Sequence, residues 1–237
     1  MQTEKMADSG DARAIAWQAA VLRDRGDVAG ARVLWQQVID TSDADHAPAA
    51  MVQLGELLER QGDLAGARAA YQQAIDSRHA DWTAGALIRL LNVVREQEDE
   101  AGARAACQQA IDSGHPEEAW YALHVLGQVL HQHGHVQQAR LAYQQAIDAG
   151  RTDTLVNLMT LARDQADTDG LRDACQQATD VGNRYLAGYG LLILGHLLTA
   201  QGDPDGAQTA YQQAIDSGDG TWTAEATAAA NPPASGA

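Results

Sequence analysis

Apolar residues recur at helical spacing between Asp63 and Asp76, where Leu64, Ala67, Tyr71, Ala74 and Ile75 make one stripe. Upstream lies a second stripe of Met51, Leu54, Leu57 and Leu58, with Gly55 leaving room for a close neighbour. Only a Gln-Gly-Asp turn separates the two segments, so the pattern predicts two antiparallel helices, A and then B. The same A pattern returns as Leu123, Leu126, Gly127 and Leu130, and again as Leu191, Leu194, Gly195 and Leu198. Strand-like alternation is absent from the sequence, and the predicted class is all-α.

Helix B is nearly copied five more times, beginning at Asp27, Asp99, His135, Asp167 and Asp203. Four of the five steps between copies are 36 residues, and the step from His135 to Asp167 is 32. Self-similarity at that period marks stacked supersecondary units without a single central core. The Asp at the start of each B segment is placed to cap the helix with its carboxylate. Gly114, Gly150, Gly182 and Gly218 follow the last Asp of their copies, where a left-handed residue ends a helix.

Leu54, Gly55, Leu58, Ala67, Tyr71 and Ala74 resemble the signature of the tetratricopeptide repeat. Leu126, Gly127, Leu130, Ala139, Tyr143 and Ala146 repeat it, as do Leu194, Gly195, Leu198, Ala207, Tyr211 and Ala214. The copies depart from it in being mostly 36 rather than the usual ~34 residues long. The terminal proline is missing, and the longer connection after helix B is similar to Sel1-like repeats. Leu91 and Met159 stand in place of the glycine, and Trp17 leads a degenerate first helix. The resemblance implies a right-handed α-solenoid of six antiparallel helix pairs over residues 11–218. Trp222-Thr223-Ala224 echoes Trp82-Thr83-Ala84, so a capping helix is expected over 219–230. Residues 1–10 are expected to be loose, and 231–237 a disordered tail.

Composition narrows the role. Sixteen basic against 32 acidic residues give a net charge of −16, which disfavours nucleic acid and anionic membranes as partners. The amino terminus lacks an apolar secretory core, and no apolar run reaches the ~18 residues of a spanning helix, so a cytoplasmic location is expected. The Ala-, Arg-, Gly- and Asp-rich mix suggests a bacterial source. Cys107 and Cys175 occupy positions where other copies carry Trp or Tyr, and read as small buried apolar residues. His124, His131, His133 and His135 cluster without the ligand geometry of a zinc site, and the Asp-x-Asp-Gly segments at Asp167 and Asp203 lack the rest of a calcium loop. No nucleophile–base motif or phosphate-binding loop occurs, so neither catalysis nor a cofactor is expected. Arg32, Arg68, Arg104, Arg140 and Arg172 form a ladder beside Asp40, Asp76, Asp112, Asp148, Asp180 and Asp216, read as a solvated outer face.

The resemblance also implies where a partner would bind, since in the family the A helices line a concave side that holds peptides. The corresponding residues are Arg23; Glu56 and Glu59; Asn92 and Arg95; Gln128 and His131; Thr160 and Arg163; and His196 and Thr199. This stripe is largely neutral or basic on an acidic chain. The expected contact set is Arg23, Asn92, Arg95, Tyr121, His124, Gln128, His131, Thr160, Arg163, Tyr189 and His196, centred on copies three to five. The four-residue deletion in copy five falls before the middle of its helix A. It predicts a helix starting near Asp153, one turn short, with Tyr121 and Tyr189 closing over the notch. The expected function is a non-catalytic scaffold for a protein or peptide segment. The alternatives are a structural solenoid self-associating through its ends, and a small-ligand or metal sensor.

Overall fold

The computed structural model describes residues 2–231, with side chains from residue 11 onward. The chain divides into two units, Met1–Val129 and Leu130–Ala237. The first holds α1 (Gln2–Asp24), α2 (Val28–Asp40), α3 (Ala47–Arg60), α4 (Leu64–Asp76), α5 (Thr83–Glu96) and α6 (Glu100–Asp112). The boundary falls within α7 (Pro116–Gln132). The second unit continues with α8 (Val136–Asp148), a 3-10 turn (Thr152–Thr154), α9 (Leu155–Asp164) and α10 (Thr168–Asp180). It ends with α11 (Arg184–Ala200), α12 (Pro204–Asp216) and α13 (Gly220–Ala230). No strand occurs among the described residues. Within each unit successive helices pack on one another, α1 on α2 through α5 on α6 in the first, and α8 on α9 through α12 on α13 in the second. Each unit is a short α-solenoid stack.

The predicted caps are present. Asp27, Asp63, Asp99, Asp167 and Asp203 accept the backbone N–H of the glycine three residues on, at 2.8–3.0 Å. Each such bond satisfies one orphan donor of the first turn. His135, in the same place, supplies no side-chain cap. At the other end of every helix B a glutamine bonds the final aspartate one turn on, Gln72 to Asp76 at 2.9 Å being one of six such pairs. The Asp ladder is therefore satisfied along its own helices.

The Arg ladder has other partners. Arg68 of α4 pairs with Asp99, the cap of α6, and Arg140 of α8 pairs with Asp167, the cap of α10. Arg104 pairs with Glu100 in its own helix at 2.9 Å. Bonds from the Gly102 and Gly170 amides, with the neighbouring guanidinium, hold the Asp99 and Asp167 carboxyls below the usual range. A depressed folded value contributes stability above the unfolded value of ~3.9, lost as pH falls through the folded one. Asp99→Asn keeps a capping oxygen but loses the charge. We expect it to lower stability at pH 7 by about 1 kcal/mol and to lose less than the parent between pH 5 and 2. Parallel acid-limb slopes in thermal melts of the two proteins would refute this reading.

The cores are filled by a large residue on B set against a small one on A. A side-chain carbon on Gly55 would fall 2.7–2.9 Å from ring carbons of Tyr71, and one on Gly195 would fall 2.8 Å from Tyr211 Cζ. Only glycine lets the backbone of helix A lie on the ring. From the second copy onward the copies alternate in how they meet this volume. Ala19 and Gly55 stand sixteen residues before Trp35 and Tyr71, whereas Leu91 and Met159 stand sixteen before Cys107 and Cys175. Where the B residue shrinks, the A residue grows, and all eight are buried. Both cysteines are free; burial pushes the Cys107 thiol up to about 11 and Cys175 to about 12.

Copy five carries the shortened helix that its deletion predicts. α9 has 10 residues against 14 in α3 and α5 and 17 in α11. The expected start near Asp153 is a 3-10 turn, with the α-helix opening at Leu155. Leu158, Met159 and Leu161 are buried as expected, while Val156 is half-buried. Tyr189 does not close over the shortened helix. It meets Trp222 of α13 at 5.2 Å between ring centroids, with Tyr185 on the same indole at 5.4 Å. The two tyrosines and the indole dock α13 on α11.

The two ends differ in how they meet expectation. The segment 1–10, expected to be loose, is helical from Gln2, because Gln2, Glu4, Lys5, Met6 and Ala7 favour a helix and no proline interrupts them. The capping helix expected over 219–230 spans Gly220–Ala230. The tail expected over 231–237 lies outside the described residues from 232 on.

Candidate functional site

The expected contact residues divide between the units. In the first, neighbouring A helices are joined by polar bridges. Arg23 of α1 donates to Gln53 of α3 at 2.6 Å, and Arg89 of α5 pairs with Glu56 of α3 at 2.6 Å. The Tyr121 hydroxyl of α7 donates to Asn92 of α5 at 2.7 Å. These bridges fix long side chains that would otherwise sample several rotamers. His124 stacks on Tyr121 at 6.5 Å with an interplanar angle of 18°. Arg95, half-buried in the last turn of α5, has no hydrogen bond or ion pair among the described residues. The Gln128 side-chain oxygen is buried without a partner.

Gln53 and Arg89 were not in the predicted set, nor was Trp17, which is 71% exposed. All three share one register, 36 residues apart, so the repeat period itself marks them. Glu59, in the predicted stripe, accepts from the Tyr71 hydroxyl at 2.7 Å. The core aromatic of α4 thus reaches through to the A-helix face, and burial with the Glu59 bond raises its hydroxyl above the ordinary phenol range.

In the second unit the predicted residues are largely engaged locally. His131 lies 3.4 Å from Asp164, which also pairs with Arg163 at 2.9 Å. Thr160 returns its hydroxyl to the Val156 carbonyl at 2.8 Å. The Tyr211 hydroxyl sits 3.1 Å from His196 Nδ1 and 3.2 Å from the Thr199 hydroxyl. Four of the predicted residues are therefore tied to their own or adjacent helices. Among the described residues no group of three or more His, Cys, Asp or Glu side chains is placed to hold a metal. No helix among them is long and apolar enough to cross a membrane.

Helical hairpins with small residues on A, aromatic residues on B and polar ladders between A helices define a class of repeat scaffold. The tetratricopeptide repeat family model matches residues 17–84 and 89–154, and a second tetratricopeptide repeat model matches 190–217. The chain belongs to the tetratricopeptide repeat family. Among solved structures it is similar to a tetratricopeptide repeat protein from Parabacteroides merdae, with 14% identity and a TM-score of 0.53, over 92% of this chain and 98% of that one. It is similar also to PilF of Pseudomonas aeruginosa, with 16% identity and a TM-score of 0.52 over 93% and 99% of the two chains. A third is YrrB, described as a tetratricopeptide repeat protein with an unusual peptide-binding site, at 19% identity and a TM-score of 0.52 over 81% and 97%. At these identities the likeness concerns the fold. No curated protein matches the chain.

Proposed function

We propose that this chain is a non-catalytic scaffold that holds a segment of a partner protein against the A-helix face of its first unit. The family is one of interaction modules. The observation that carries the reading is Arg95, a half-buried guanidinium with no partner among the described residues, on a chain of net charge −16. A cation left unpaired amid so many carboxylates is available to a carboxylate of the bound segment. Beside it, Asn92, Tyr121 and His124 are already positioned, so little rotamer freedom remains to be lost on binding. Trp17 adds an exposed aromatic anchor of the type that dominates interface energetics.

The test is selection of a displayed random-peptide library against the full chain, followed by affinity measurements on variants. The double variant N92A/R95A is expected to weaken the selected peptides at least tenfold while leaving the melting temperature within about 2 °C, as removal of a central arginine anchor should. The outer-face variant Arg104→Ala is expected to leave affinity unchanged. If R104A abolishes binding and N92A/R95A does not, the A-helix face is the wrong surface.

A further inference from the structure

Glu118 stands out in the first unit. It is the third residue of α7 and only 6% exposed, a buried charged group at a position that varies between copies. Two sister copies carry Trp82 and Trp222 at this place, each six residues after the last Asp of helix B, as Glu118 follows Asp112, while the other three carry His46, Thr154 and Leu186. Exchanging an indole for a carboxyl removes volume and leaves a polar surface. The space is a pocket of about 180 Å³ lined by Arg78, Thr83, Ser113, His115 and Glu118.

The carboxyl is short of donors. Its one hydrogen bond is from the Ser113 hydroxyl, at 3.0 Å. That hydroxyl lies nearer the Ala110 carbonyl, at 2.7 Å, and has a single hydrogen to give. In sister copies Ser77 and Ser217 give theirs to the same carbonyl, at 2.6 and 2.7 Å. A buried carboxyl whose donor is committed elsewhere is costly unless a cation or another donor meets it.

A second lining residue is also unusual. Arg78 holds φ at 54°, at the helix end where other copies place glycine, and a side chain in that region is strained. Its guanidinium and the His115 ring line the pocket, and neither side chain has a hydrogen-bond or ion-pair partner among the described residues. The pocket lining therefore includes a buried acid and an exposed cation, carried by neighbouring interhelical segments.

We propose that this pocket binds a small zwitterion of the α-amino-acid class, its ammonium on Glu118 and its carboxylate on Arg78. The volume admits a ligand of a few heavy atoms. Such a ligand would make the scaffold responsive to a metabolite.

The experiment is titration of the full chain with L-alanine and L-serine, followed by protein NMR, with methylammonium and acetate as half-ligands. We expect saturable shifts confined to the two loops, binding at least tenfold weaker for Glu118→Gln and Arg78→Ala, and weaker binding of either half-ligand alone. Glu118→Trp, which restores the sister residue, is expected to fold with an unchanged or higher melting temperature and to abolish binding. Absence of saturable binding in the parent, or equal binding by E118Q or E118W, overturns the proposal. It is overturned too if no ligand binds and E118Q and R78A lower the melting temperature non-additively, because Arg78 then closes on Glu118 itself.

Discussion

Glu- or Leu-sized side chains cannot be accepted at position 55 while Tyr71 is present. Gly55→Leu is expected to cost about 3 kcal/mol or more, because even the first added carbon overlaps the tyrosine ring, which is body rather than flexible tip. Tyr71→Cys is expected to cost about 3–4 kcal/mol through the cavity it leaves. The pair together recreates the Leu91 and Cys107 arrangement found one copy further on, so the double variant should recover at least 2 kcal/mol relative to the sum of the single costs. Urea denaturation of the four proteins closes the cycle. Additive costs would mean that the alternation of large and small residues along the chain is not a volume exchange.

Tyr143→Ala is expected to cost about 3–4 kcal/mol on the same ground, the range of buried aromatic truncations. The ring is 1% exposed, and its hydroxyl reaches Asn157 of α9. Burial raises that hydroxyl above its usual range, as it must when the ring is sealed between helices. Tyr143→Phe should cost only the hydrogen bond, about 1 kcal/mol. A loss below about 1 kcal/mol for the alanine variant would place Tyr143 outside the core.

The helix pattern was legible because each hairpin repeats it, and a periodic apolar stripe leaves little freedom about which face turns inward. The capping aspartates could be read for a similar reason: a cap and its amide lie within three residues of each other. The Arg68–Asp99 and Arg140–Asp167 pairs were not legible, since they join copies 31 and 27 residues apart through the way the hairpins stack. Local spacing instead pointed to the aspartates at the helix ends, which their own glutamines satisfy. Tyr189 was misplaced for a related reason, because its contact depends on where α13 returns. Asn92, Arg95 and Tyr121 could be singled out from the repeat register, but the sequence could not say which of their polar groups are already paired. His196, Thr160 and His131 looked as available as Arg95 until their partners in the fold were located. Glu118 sits at a position that varies between copies, so the register does not mark it.

The measurement that bears most directly on the account is photocrosslinking of a selected peptide to the full chain. A benzophenone side chain would be placed either at position 95 on the A-helix face or at position 104 on the outer face. The account predicts peptide adducts from position 95 and none from position 104, with free competitor peptide suppressing them. Adducts from position 104 alone would contradict it.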